Sequence, residues 1–328
     1  MTVDRDTSSL PRTVTEVEAL LTRHGYVADR QIATAVLLAL TLPKPLLIEG
    51  PAGVGKTEIA KVLAAALGTR LIRLQCYEGL DAHTALYEWN YPKQMLRLKL
   101  EESGDRSLSE RERTIFSEDF LLERPLLAAL RQRDRSPVLL IDELDRADTE
   151  FDAFLLEVLA DFQVTIPELG TIRAEHPPHV IITSNRTREL SDALRRRCLY
   201  LWIDYPTLEK EMAILRTRLP GIDAELSHQI SRFMQRVRQL DLDKPPGTAE
   251  TLDWARSLLT LGLNGDDRQA MLDALGAIAK TRPDLERLRQ AASDGTLPLP
   301  GSSIDTASTV SRGAARPVRE VNPDARNP

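Results

Sequence analysis

The 328-residue chain has only two cysteines, Cys76 and Cys198, far apart and without a CxxC spacing or a histidine partner. Neither a disulfide framework nor a zinc site is expected, and a reducing cytoplasm is the expected compartment. Positive charge is not in excess either. Lys and Arg number 43 against 49 Asp and Glu, a formal net charge of −6. A non-specific nucleic-acid binder needs clustered cations to neutralise phosphates, and none is expected here. Long apolar runs are missing too. The longest, Ile32–Leu42, is too short for a bilayer, and MTVDRDTSSLPRT at the start lacks the apolar centre of a signal peptide. No transmembrane segment and no internal repeat is expected. What remains is 42% apolar and 28% charged, ordinary for a soluble protein of about two domains.

Hydrophobic periodicity divides the chain. Residues 1–13 read as a flexible leader. Residues 14–205 alternate helices (14–24, 32–42, 58–67, 151–162) with short apolar strands (46–48, 71–74, 138–141, 180–183, 199–203). That alternation predicts an α/β domain with a parallel sheet and helices on both faces. A hairpin is expected at about 163–173, on either side of Pro167–Gly170. Residues 100–135 are charge-dense and read as surface helix or loop broken by Pro125. Residues 206–295 carry helical periodicity throughout and predict a small all-α domain. Residues 296–328, rich in Pro, Ser, Ala and Arg, read as a disordered tail.

The strongest motif is Gly50-Pro51-Ala52-Gly53-Val54-Gly55-Lys56-Thr57, a G-x-x-x-x-G-K-[ST] loop between a buried strand and a helix opening at Glu58. Its glycines let the backbone curl so that N–H groups face phosphate oxygens, and the helix presents its positive end to the same anion. Lys56 is expected on the β- and γ-phosphates of ATP, and Thr57 on Mg²⁺. The strand Val138–Ile141 ends in Asp142 and Glu143, 86 residues beyond Lys56. Ligands collect at the carboxyl ends of parallel strands. There Asp142 can hold the metal and Glu143 can polarise an attacking water. A kinase for small molecules needs no such second acid, so hydrolysis is favoured. A third apolar strand ends at Asn185, suited to orient the water or touch the γ-phosphate. Next come Arg195, Arg196 and Arg197, any of which could reach a neighbouring subunit's γ-phosphate; such fingers are worth about 10³–10⁵ in rate.

GPAGVGKT, VLLIDE, ITSN and RRRC, in this order and followed by a helical segment, resemble the AAA+ ATPases over about residues 14–292. The helix FDAFLLEVLADF followed by VTIPELGTI is similar to the insertion of the MoxR family. LQCYEGLDAHTALYEWNY and TSNRTRELSDALRRRCLY look closest to its CoxD-like branch, associated with carbon-monoxide dehydrogenase and related molybdenum hydroxylases. The resemblance implies Walker A at Lys56 and Thr57, Walker B at Asp142 and Glu143, and sensor 1 at Asn185. It puts the finger first at Arg197, with Arg196 and Arg195 as alternates. It also implies a ring, usually a hexamer, a von Willebrand A domain partner and a client metalloenzyme. ATP-driven remodelling is the function it implies. A nucleic-acid motor or clamp-loader-like ATPase is the alternative, since RRC resembles the arginine box of clamp loaders.

Two points depart from the family or stay open. MoxR proteins often carry a sensor 2 arginine where this chain has Glu250, in Gly247-Thr-Ala-Glu-Thr251. Either that contact is lost or another residue such as Arg256 supplies the charge, and Glu250 is not expected to face the nucleotide. Tyr26 and Val27 resemble residues flanking adenine in this family, with core packing as the competing role. Tyr77, Tyr87, Trp89 and Tyr91 either line a central pore or pack against the sheet.

Overall fold

A computed structural model describes residues 10–100, 108–262 and 268–300. Most of the expected leader, and residues 301–328 of the expected tail, lie outside them. The chain begins with α1 (Val14–Arg23) and α2 (Arg30–Thr41), whose N-caps are Thr13 and Asp29. Then come β1 (Leu46–Glu49), α3 (Lys56–Ala66), β2 (Leu71–Gln75), α4 (Ala82–Leu86), β3 (Tyr87–Trp89), α5 (Tyr91–Leu100) and α6 (Leu108–Ile115). After these follow β4 (Leu121–Glu123), α7 (Pro125–Leu130), β5 (Val138–Asp142), α8 (Thr149–Asp161), β6 (Gln163–Ile166) and β7 (Gly170–Arg173). β8 (His179–Ser184), α9 (Asp192–Arg197) and β9 (Leu199–Trp202) close the α/β part.

The main sheet has five parallel strands in the order β2-β5-β8-β1-β9. β1, β5 and β8 are buried along their whole length, as strands covered on both faces must be. Alternate residues feed two cores. Leu46, Ile48, Val138, Leu140 and Ile181 meet α1, α2 and α3. Leu47, Leu139, Ile141, Val180 and Ile182 meet α7, α8 and α9. The register matters for the site: Gln75 lies beside Asp142, and Glu49 beside Ser184 and Trp202. The polar ends of the strands therefore share one edge.

Beyond the sheet, α10 (Leu208–Arg218), α11 (Ala224–Val237), α12 (Thr248–Thr260), α13 (Arg268–Asp273) and α14 (Arg282–Ser293) bury a third core. It centres on Phe233 stacked on Trp254 at 4.6 Å. The helical character expected after the sheet is present. Leu297 and Leu299, assigned to the tail by composition, are buried in this core.

Pro125 does not break a surface segment. It stands at the first position of α7, where its missing N–H costs nothing, and Leu126, Leu127 and Leu130 of that helix are buried. A two-stranded pairing of β3 with β4 was not legible either. Within the aromatic segment, Trp89 is buried and meets Phe116 edge-on at 5.3 Å, while Tyr77 and Tyr91 are exposed.

Candidate active site

The loop Gly50–Thr57 runs from β1 into α3. Gly53 and Gly55 have φ of 75° and 92°, in the left-handed region that favours glycine. Lys56, buried, donates from Nζ to Gly50 O (2.7 Å), Pro51 O (2.6 Å) and Asn185 Oδ1 (2.7 Å). All three acceptors are neutral, so these hydrogen bonds do not compensate the charge, a fit for an incoming phosphate. Burial pushes its pKa down to about 8, against the opposing pull of Asp145, Asp142 and Glu143.

Asp142 ends β5 with its side chain nearly inaccessible. Its Oδ1 accepts from the hydroxyls of Thr57 (2.9 Å) and Thr183 (2.6 Å). A hydroxyl and a carboxylate meeting here form a hard oxygen donor set of the kind that suits Mg²⁺. Thr57 and Asp142 would hold that ion, which when bound neutralises phosphate charge. Glu143 follows in a left-handed conformation, φ 56°. Such a backbone is strained for a residue with a Cβ and tends to occur at functional sites. Its N–H is held by Thr183 Oγ1 at 2.9 Å. Its carboxylate takes Gln75 Nε2 at 3.1 Å and Arg146 Nε at 2.9 Å. A carboxylate beside a metal-binding acid can accept a proton from water. Asn185 has its backbone fixed by Asp145, which also holds Thr187.

The three arginines separate. Arg195 places Nη2 2.9 Å from both oxygens of the buried Glu49, which also accepts from Tyr200 Oη at 3.0 Å. Arg195 is thus engaged within its own chain. Arg197 donates to Leu156 O at 3.3 Å. Arg196 is exposed, and its side chain has no hydrogen bond or ion pair among the described residues.

A cleft of about 340 Å³ opens between the strand ends and the helical part. Residues 52–58 line it, with Tyr26, Val27, Asp142, Glu143 and Asn185. Its far wall is Pro206, Lys210, Ile214, Arg218, Thr248 and Leu252. Two ion pairs cross it: Lys210 with Asp29 at 2.6 Å, and Arg218 with Glu58. The helical part, the lid side of this cleft, also touches the loop backbone directly. Ala249 N donates to Gly53 O at 3.1 Å, and a Cβ on Gly247 would lie 2.7 Å from Ala52 O. Glu250 accepts from Gly247 N at 3.0 Å and so caps its own helix. Arg256 is exposed and paired with Asp253, and is not among the residues lining the cleft.

Comparison with known proteins places this geometry. Residues 45–198 match the AAA domain, dynein-related subfamily. The fold is that of an AAA+ P-loop NTPase, and the protein is an ATP-hydrolysing enzyme. The gas vesicle ATPase GvpN of Haloferax mediterranei is 25% identical over 283 residues, 80% of this chain and 76% of that protein. An uncharacterized protein of Staphylococcus haemolyticus is 26% identical over 226 residues, 66% of this chain and 78% of its own length. Among solved structures, a Thermotoga maritima RuvB mutant covers 87% of this chain and 81% of its own at TM-score 0.46 and 17% identity.

Within residues 45–198 the structure brings Lys56, Thr57, Asp142, Glu143 and Asn185 to one edge, and sets Arg196 and Arg197 on α9 outside the cleft lining. Sequence reasoning missed Arg73, Gln75, Thr183 and Asp145. Gln75 ends a parallel strand, as Asp142 does, so the strand-end argument reaches it too. Lys210 and Arg218 carry no such signal, because their partners are 181 and 160 residues away. Both thiols are pushed up to about 12, chiefly by burial, which removes them from the chemistry.

Proposed function

We propose that this protein is a MoxR-type ATPase, of the CoxD-like branch, that assembles into a ring and uses Mg²⁺-dependent ATP hydrolysis to remodel a client metalloenzyme. Lys56 and the loop 50–57 hold the phosphates, Thr57 and Asp142 the metal, and Glu143 accepts the proton of the attacking water, which Asn185 orients. Tyr26 and Val27 flank the base, and Glu58 anchors the lid beside it. The observation that carries the ring is Arg196. It projects from α9 with no partner among the described residues, ready for a neighbour's cleft, with Arg197 beside it. The client class, a molybdenum hydroxylase such as carbon-monoxide dehydrogenase, and a von Willebrand A partner rest on the sequence resemblance.

The test is ATP turnover per subunit against protein concentration, repeated with an immature molybdenum hydroxylase or with DNA. The proposal expects specific activity to rise as rings assemble and to respond to the enzyme. Turnover independent of assembly sinks the shared site. Stimulation by DNA alone replaces the remodelling reading with that of a nucleic-acid motor.

A further inference from the structure

Arg73 supplies a cation that none of the sequence motifs requires. It lies on the edge strand β2 with its side chain half-exposed, while Asp142 is only 3% exposed. Its Nε and Nη2 donate to Asp142 Oδ2 at 3.0 and 2.6 Å. The other oxygen, Oδ1, already accepts two hydroxyls. The acid that would serve the metal is therefore saturated and compensated by a side chain that never loses its charge.

The same Nη2 donates to Gln75 Oε1. A glutamine amide has one accepting and one donating end. With its oxygen turned to Arg73, Gln75 must present its NH₂ to Glu143, and Nε2 lies 3.1 Å from Glu143 Oε2. One guanidinium thus joins the metal-binding acid to the water-activating acid. A divalent cation at Asp142 would repel this guanidinium at close range. Of the two groups Arg73 is the free one to move, because its side chain borders solvent and Asp142 does not.

We propose that Arg73 is a positioning residue that competes with Mg²⁺ for Asp142 and, when it withdraws, lets go of Gln75 and so loosens Glu143. Cation loading and release of the second acid then become one event. This inference rests on the reading of Thr57 and Asp142 as the metal-binding pair. An arginine that merely orients Asp142 for the metal has the opposite signature: its loss weakens cation binding.

The experiment measures Mn²⁺ affinity by electron paramagnetic resonance on the full chain with ADP, for wild type, R73M, R73K, Q75M, R73M/Q75M and D142N. R73M should bind Mn²⁺ about tenfold tighter, through loss of a like charge beside the site. R73K, which keeps the charge without the fork, should fall between R73M and wild type. Q75M does not touch Asp142, yet should tighten binding about threefold because Arg73 loses its second anchor, and it should add nothing to R73M. Equal or weaker binding in R73M overturns the inference, and so does an unchanged Q75M. If R73M fails to fold by circular dichroism, R73K and Q75M decide with the same signs. Wild-type Mn²⁺ binding insensitive to D142N overturns the metal-site reading itself, and does so without reference to any Arg73 variant.

Discussion

The two walls of the cleft are built on different terms. On the sheet side, side chains at four strand ends converge: Gln75, Asp142 with Glu143, Asn185, and the loop after Glu49. Asp142, Glu143 and Asn185 are each fixed by a hydrogen bond to a buried partner, and Gln75 by one to Glu143. On the lid side, the contacts are backbone against backbone at Gly53 and Gly247, and two partly exposed ion pairs. Chemistry that acts on a phosphate needs preorganised charge in a dry place, and only the sheet side supplies it. The lid side can loosen cheaply, since partly exposed ion pairs are worth little. Changes on the sheet side should therefore reduce turnover, and changes on the lid side should reduce affinity.

The largest effect expected is at Glu143. Glu143→Gln should lower kcat by about 10²–10⁴ with little change in ATP affinity, read by phosphate release beside equilibrium binding. Arg196→Ala should lower the turnover of assembled rings by about 10²-fold or more and leave dilute monomer unaffected. Arg195→Ala should instead lower thermal stability, because it removes the guanidinium that binds both oxygens of the buried Glu49 and leaves only the longer ion pair with Arg186 at 3.9 Å. If Arg195 rather than Arg196 carries the ring's rate, the division of roles on α9 is wrong.

Lys56 offers a pH handle. Its ammonium titrates at about 8 rather than 10.5, so ATP affinity should fall as pH rises through that value. Over the interval from 8 to 10.5 the unfolded chain holds more protons here than the folded one, so nucleotide-free stability gains from this group over the same range. Calorimetry in buffers of different ionisation enthalpy should find proton uptake on ATP binding above about pH 8. On the lid side, Arg218→Ala should weaken ATP binding a few-fold, cost about 0.5 kcal/mol of stability, and leave kcat nearly unchanged. The smallest effect is at Glu250. Glu250→Ala should cost about 0.5–1 kcal/mol through the lost cap and leave ATP affinity within about twofold. A marked gain in affinity would mean that this carboxylate faces the phosphates after all.

The contrast between the walls also explains what the sequence disclosed. The sheet side is legible because its residues sit at fixed places on short-range patterns: a glycine loop after a strand, and acids or an amide ending apolar runs. The parallel sheet is legible for the same reason. The lid side is not, because Lys210–Asp29 and Arg218–Glu58 join residues with no common pattern, and because a backbone contact such as Gly247 on Ala52 leaves only a glycine as its trace. Pro125 misleads for a local reason: the same residue that breaks a helix interior opens a helix at its first turn. Arg73 is hidden because a single charged residue in a short apolar strand carries no motif.

The most direct test of this division is the identity of the nucleotide left on Glu143→Gln after prolonged incubation with Mg²⁺ and ATP. If the sheet side carries the chemistry and the lid only retains the ligand, the recovered nucleotide is ATP, bound about as tightly as by wild type. Recovery of ADP would show that hydrolysis proceeds without Glu143 and would contradict the account.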